Sequence, residues 1–364
     1  MRRITLRYAK AGMVLGSPVY DNFGTMLLDS HIRLDEECLK ILVSNAVTEL
    51  LLDDWRVADV VVEPLISPEL EGKGAQALRR LMLENQGKTS LAASSVNTVV
   101  RTMNGIAREL ALESIGEASV TGITSEQDYM YIQPVKTATL SLLMGKRAGC
   151  SGTELASLGI AALLKDVGYI SIPPELLHRP DLLTEKELLK IRQHPMFGYE
   201  LLIQHRSTSG AIASAVLQHH ERWNGTGYPY ALKEKDIHRF AQIIAIADTY
   251  TALLSKRPGR KMFTPQEAIE YIMAYAGEQF SPELVELFVR QVPCYATGLT
   301  VKLNTKEIGI VCDANLDFIG RPAVRVIYDE ENGKVSKPYE IDLKSIDNQH
   351  KLVTEVIDYY WKTD

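Results

Sequence analysis

Asp166, His194, His219, His220 and Asp248 are of the residue types that hold a divalent metal, and most of them end or interrupt an apolar stripe. In 240–254, FAQIIAIADTYTALL, helical spacing puts positions 240, 243, 244, 247, 248 and 251 on one face, so Asp248 falls on the buried stripe. A buried carboxylate with no partner costs several kcal/mol, so it must be paired, hydrogen-bonded or metal-bound. Taken alone, Asp248 has an ordinary reading as a structural aspartate bonded to nearby backbone or to an arginine.

The stripe through Ile212, Ala215 and Val216 runs into His219 and His220, and two adjacent imidazoles need two sets of partners. A third stripe, Leu155, Leu158 and Ala162, ends in Lys165-Asp166, while His194 stands just before a proline that opens a new helix. Neutral imidazoles and carboxylates converging from several helices are a metal-binding inventory. The loop after the histidines, Glu221-Arg222-Trp223-Asn224-Gly225-Thr226-Gly227-Tyr228-Pro229, has glycines that permit positive φ and a close backbone approach to an anion. Such loops are also ordinary turns.

These residues need a scaffold, and the chain supplies one. Its 364 residues suggest two or three domains, and 46% hydrophobic with 24% charged residues exclude wholesale disorder. A net charge of −6 argues against broad electrostatic binding to DNA, RNA or anionic membranes. No apolar run reaches the roughly 18 residues of a membrane span. The basic N-terminus lacks the apolar core of a secretory signal. Cys38, Cys150, Cys294 and Cys312 show no CxxC spacing and read as thiols of a reducing cytoplasm.

Four segments are expected. Residues 1–65 alternate short apolar runs with turns and one amphipathic stretch (Leu34, Cys38, Leu39, Leu42), a small α+β module. Residues 66–115 read as one or two connecting helices broken near Gln86-Gly87-Lys88, and 116–290 as the longest helical region. Residues 291–364 switch to period two, with Asp329-Glu330-Glu331-Asn332-Gly333 as a hairpin turn, and form a small β unit. The fold class is therefore mainly α.

His219-His220-Glu221 through Gly225, Gly227, Tyr228 and Pro229 resembles the signature HHExxxGxGYP of the HD-GYP family. The resemblance extends to Leu163–Pro173, to His194-Pro195-Met196-Phe197-Gly198, to Ala245–Tyr250 and to Arg257-Pro258-Gly259-Arg260. It implies an all-helical HD-superfamily core and a bacterial signal-transduction protein of the cytoplasm, a metal-dependent phosphodiesterase (a hydrolase) acting on cyclic di-GMP. It also implies Arg257 and Arg260, with Arg222 nearby, as contacts to dinucleotide phosphates beside Gly225, Gly227 and Tyr228. As solvated helix-end charges these arginines would need no ligand.

The departures fall at the metal site. The namesake His-Asp pair reads Lys165-Asp166, the lysine of the following DxGK motif is Tyr169, and the early helix carries Tyr129 and Gln133 where the family has Glu and His. By resemblance, one metal position has thus lost two histidines, while the neighbouring one keeps Asp166, His194, His219 and His220. The ammonium of Lys165 is expected to replace the missing cation between Asp166 and Asp248. One ion, Fe or Mn rather than Mg, is expected instead of two. Two-metal hydrolysis needs both ions, one to activate water and one to stabilise the leaving oxygen. The expectation is a protein that binds cyclic di-GMP or a related cyclic dinucleotide with hydrolysis weak or lost. The alternatives are an active phosphodiesterase of altered metal stoichiometry and a non-catalytic HDOD-like interaction scaffold. A protein partner for residues 1–65 and an oligomer are both compatible with this reading.

Overall fold

The first 64 residues run through β1 (Arg2–Thr5), β2 (Val19–Tyr20), β3 (Met26–Leu28), α1 (Glu36–Ser44) and β4 (Glu49–Leu52). Strand β1 pairs antiparallel with β4, and β2 with β3. The β2–β3 turn closes at Asp21–Gly24, with the Gly24 N–H donating to the Asp21 carbonyl. Asp35 starts α1 by accepting from the Cys38 N–H, which turns the helix so that Leu42 is buried against Leu15, Leu34 and Leu50.

The helical region follows as α2 (Pro68–Asn85), α3 (Ala93–Leu112), α4 (Tyr129–Arg147), α5 (Gly152–Leu163), α6 (Pro174–Leu177), α7 (Glu185–Ile191), α8 (His194–Ile203), α9 (Gly210–Gln218), α10 (Arg239–Leu253), α11 (Pro265–Ala274) and α12 (Pro282–Val289). Capping boxes written in the sequence set several starts: Ser151 with Glu154 for α5, Thr184 with Glu187 for α7, and Thr264 with Glu267 for α11. Helix α4 is buried from Ile132 to Gly145 except at Lys136, because α2, α5 and α10 all pack on it. A helix covered on three sides belongs at the centre of such a layer arrangement, and buried polar residues such as Gln133, Thr137 and Thr139 must then find partners inside.

The chain then becomes β: β5 (Thr300–Leu303), β6 (Glu307–Asp313), β7 (Ala323–Asp329), β8 (Gly333–Asp342) and β9 (Val353–Val356) form one antiparallel sheet in the order β8-β7-β6-β5-β9. Strands β7 and β8 pair antiparallel with Asp329 opposite Gly333, and the expected turn at 330–332 lies outside the described residues.

This computed structural model describes residues 1–62, 64–112, 128–177, 184–205, 207–255, 262–329 and 333–357. Two compact units emerge, residues 65–289 and residues 1–64 together with 290–364. On sequence alone, 66–115 is expected as a separate connector and the two ends as separate modules. In the structure α2 and α3 pack on α4 and α5 within the helical unit. The N-terminal segment and the terminal sheet share one core, in which Val57 and Val60 meet Ile310 and Ile327. Long-range hydrogen bonds tie that unit together: the Arg3 N–H donates to the Gly298 carbonyl and Arg2 Nε donates to Thr300 Oγ1. Contacts over such sequence distances leave no periodic signal in either segment.

Candidate metal centre

Three short pieces of the helical unit meet at one point. Asp166 lies in the turn after α5, His194 is the first residue of α8, and His219 and His220 directly follow α9, with His219 as its C-cap. Helix α8 packs on α9 and on the 167–171 turn. Gly168 makes that crossing possible, because a Cβ there would sit 1.9 Å from the His194 carbonyl oxygen and 2.6 Å from the Gly198 nitrogen. The result brings one donor atom from each of Asp166, His194, His219 and His220 within 4.8 Å of one another.

The donor atoms point inward for a local reason. His194 Nδ1 donates to the Ile191 carbonyl at 2.8 Å, and His219 Nδ1 to the Val216 carbonyl at 2.7 Å. A carbonyl can only accept, so both Nδ1 atoms carry the proton and each neutral ring presents the Nε2 lone pair. Those two Nε2 atoms lie 3.4 Å apart. Asp166 Oδ1 is 3.3 Å from the first and 3.8 Å from the second. Three acceptors thus converge with no donor among them, an arrangement that repels itself until a cation enters. This donor set fits a divalent ion.

Burial keeps the His219 and His220 imidazoles neutral. It pushes the His219 ring down to about 4, helped by the neighbouring His194, and pushes His220 well below the usual histidine range. Burial alone would raise the Asp166 carboxyl, but the Lys165 ammonium, with His194 and His219, holds it well below the ordinary carboxylate range. For His219 the sign is definite. Between pH 6.5 and about 4 the unfolded chain binds the extra proton and the metal-free folded chain does not, so stability rises with pH across that window. Metal-free protein should therefore lose on the order of 3 kcal/mol from this residue as pH falls from 6.5 to 4, read from urea unfolding at each pH.

Beside these donors lies a second cluster of a different kind. The Lys165 side chain is 3% exposed, and its Nζ donates to Asp166 Oδ2 and, at 2.9 Å, to Asp248 Oδ1. Burial opposes the charge, but the two carboxylates outweigh it and raise the lysine above its usual value. Gln133 on α4 completes the cluster: its Nε2 lies 2.7 Å from Asp248 Oδ1, 2.9 Å from Thr251 Oγ1 and 3.0 Å from Thr137 Oγ1. Asp248 is held by an ammonium and an amide, so it satisfies the pairing that its place on the α10 stripe demanded.

Aromatic rings wall the donors. Tyr169 lies 4.4 Å from His194 between ring centroids, and Tyr228 stacks on His220 at 4.7 Å. The Arg192 guanidinium lies 5.5 Å over the Tyr228 ring. The loop carrying Tyr228 is anchored by Glu221, whose buried carboxylate accepts from the Tyr230 and Leu232 N–H groups at 2.7 and 3.1 Å. Gly227 packs directly on the Glu221 and Arg222 backbone, where a Cβ would meet atoms at 2.4 Å, and Gly225 adopts φ +80°. Replacing Glu221 by glutamine keeps one acceptor but sets an NH₂ against an N–H. Urea unfolding should show a loss of about 1–3 kcal/mol.

The sequence-derived residues thus divide. Asp166, His194, His219 and His220 are brought together, Asp248 joins Lys165 beside them, and Arg222 is exposed at the loop. Arg257 and Arg260 lie outside the described residues. Gln133, Thr137, Thr251, Glu221 and Arg192 were not among the expected site residues. Gln133 and Tyr169 were visible only as departures from a family pattern, and a polar residue near the start of a helix reads as solvent-facing until its neighbours are known.

The family profile described as "HD domain" matches residues 117–284, and one described as "KOW domain associated with HD domain" matches 300–358. A cyclic di-GMP phosphodiesterase of Pseudomonas aeruginosa is 30% identical over 61% of this chain and 53% of its own length. The cyclic di-GMP phosphodiesterase response regulator RpfG of Xanthomonas campestris is 30% identical over 72% of this chain and 69% of its own. The 3'3'-cGAMP-specific phosphodiesterase 2 of Vibrio cholerae is 35% identical over 39% and 27%. The chain spans about half the length of the first of these relatives. No helix among the described residues is long and apolar enough to cross a membrane. With the histidine pair, the glycine-tyrosine-proline loop and these similarities together, the chain belongs to the HD-GYP family of HD-domain proteins.

Proposed function

We propose that this protein binds cyclic di-GMP or a related cyclic dinucleotide at a centre that holds one divalent ion, Fe or Mn, and hydrolyses it weakly or not at all. The observation that carries this reading is the Lys165 ammonium seated between Asp166 and Asp248, beside a separate set of four donors. One ammonium against two carboxylates leaves a single excess negative charge, and one divalent ion already overturns it. A second divalent ion would have to enter beside a buried cation with which it shares both carboxylates, at a large electrostatic penalty.

Asp166, His194, His219 and His220 would hold the ion. When bound, it supplies Lewis acidity to a phosphoryl oxygen. The chain does the rest: the Nδ1 bonds to Ile191 and Val216 fix the imidazoles, the Tyr169 and Tyr228 rings limit water, and the Glu221-anchored loop shapes one wall. Burial, with nearby Asp166, raises both tyrosine hydroxyls well above their usual value, so they stay protonated and can donate to a phosphate. Nothing in this set resembles a general acid poised near neutrality for the leaving oxygen, because Lys165 holds its proton tightly.

Turnover of cyclic di-GMP and 3'3'-cGAMP by Mn-loaded and Fe-loaded protein, with binding measured on the same samples, tests this. Binding without robust hydrolysis supports it. Fast hydrolysis overturns the loss of catalysis and favours an active phosphodiesterase. Absence of both metal and nucleotide binding favours an interaction scaffold.

A further inference from the structure

A phosphodiester at this centre needs a cation besides the metal, and Lys165 is not free to serve, since both of its carboxylate partners already engage it. Arg192 and Arg222 are the two arginines whose charge bears on Tyr228. Only Arg192 among the described residues is placed over its ring. We propose that Arg192 is a ligand-binding residue, a guanidinium that takes a non-bridging phosphate oxygen of the ligand while Tyr228 holds it in place.

Three observations support this assignment, which rests on the reading of the site as a phosphodiester centre. Arg192 directly follows Ile191, whose carbonyl orients the His194 ring, and its own N–H is tied to the Leu188 carbonyl at 2.9 Å. The turn that aims a metal donor therefore also fixes where the arginine starts. Stacking on Tyr228, which in turn stacks on His220, keeps the guanidinium within about 10 Å of a donor ring. One dinucleotide can span that distance. Among the described residues the Arg192 side chain makes no hydrogen bond or ion pair, so its planar fork of N–H donors is left for a ligand although the ring contact already orders it. An arginine that merely balanced the C-terminal dipole of α7 would have no reason to lie over a ring of the pocket.

Isothermal titration of Mn-loaded protein with cyclic di-GMP, and separately with inorganic phosphate, tests the assignment. Arg192→Met should raise the Kd about tenfold or more, and Arg192→Lys should raise it less, because a point charge keeps the attraction but not the bidentate geometry. Metal content and unfolding midpoint should stay those of the wild type in both variants. Arg80→Met, which removes an exposed arginine paired with Glu84 on α2, should leave the Kd unchanged. Wild-type affinity in Arg192→Met, or an equal loss in Arg80→Met, overturns the assignment alone. If the wild type binds phosphate but not cyclic di-GMP, and Arg192→Met weakens the phosphate, the nucleotide reading falls and the assignment stands. If the wild type binds neither probe, both fall.

Discussion

Replacing Lys165 by methionine is expected to destabilise the metal-free protein by about 3–5 kcal/mol at neutral pH, the cost of stripping the partner from buried carboxylates. Methionine keeps the apolar stem and nearly the volume, so packing changes little. What disappears is the charge: Asp166 and Asp248, 18% and 17% exposed, would face each other across the vacated space. Gln133 still donates to Asp248, but an amide dipole does not offset a full charge. The deficit should shrink on acidification, as one carboxylate takes a proton, and shrink again with added Mn²⁺, which can enter the space. Urea unfolding in EDTA and then in millimolar Mn²⁺ checks both. A variant as stable as the wild type in EDTA would mean that the ammonium is not the counter-ion of this pair.

His219→Ala is expected to weaken the bound ion by about 100-fold or more, since it removes one of four donors and unlocks the geometry of the others. It leaves Lys165, Asp248 and Gln133 in place, so the fold should persist, as far-UV circular dichroism would show. It also relieves the 3.4 Å confrontation of lone pairs with His194. The metal-free variant should therefore lose less stability than truncating a residue that is 1% exposed would otherwise cost, while the metal-loaded form should lose its whole increment from binding. Elemental analysis after gel filtration, paired with unfolding in EDTA, separates the two effects. Retention of the ion at wild-type affinity would remove His219 from the donor set.

Most of the clustered residues, and Asp248 beside them, stood out in the sequence because they violate their surroundings. Imidazoles at the end of Ile212-Ala215-Val216 and a carboxylate within Phe240–Thr251 are costly unless compensated, and compensation implies convergence. The helical class was legible through 3.6-residue apolar spacing, as in 240–254. Several features were not. That the Val57–Val60 stretch shares a core with Ile310 and Ile327 depends on contacts more than two hundred residues apart. Gln133 reads as an ordinary polar residue until Thr137 and Thr251 are seen beside it. Glu221 is quoted within a motif, yet its work of accepting two N–H groups of its own loop depends on the path of the chain after Pro229.

The number and place of the bound ions decide the central claim. An anomalous difference map from a crystal grown with Mn²⁺ should contain one peak, bounded by Asp166, His194, His219 and His220, with the Lys165 side chain in ordinary density between Asp166 and Asp248. A second peak between those two carboxylates, with Lys165 swung away, would contradict it.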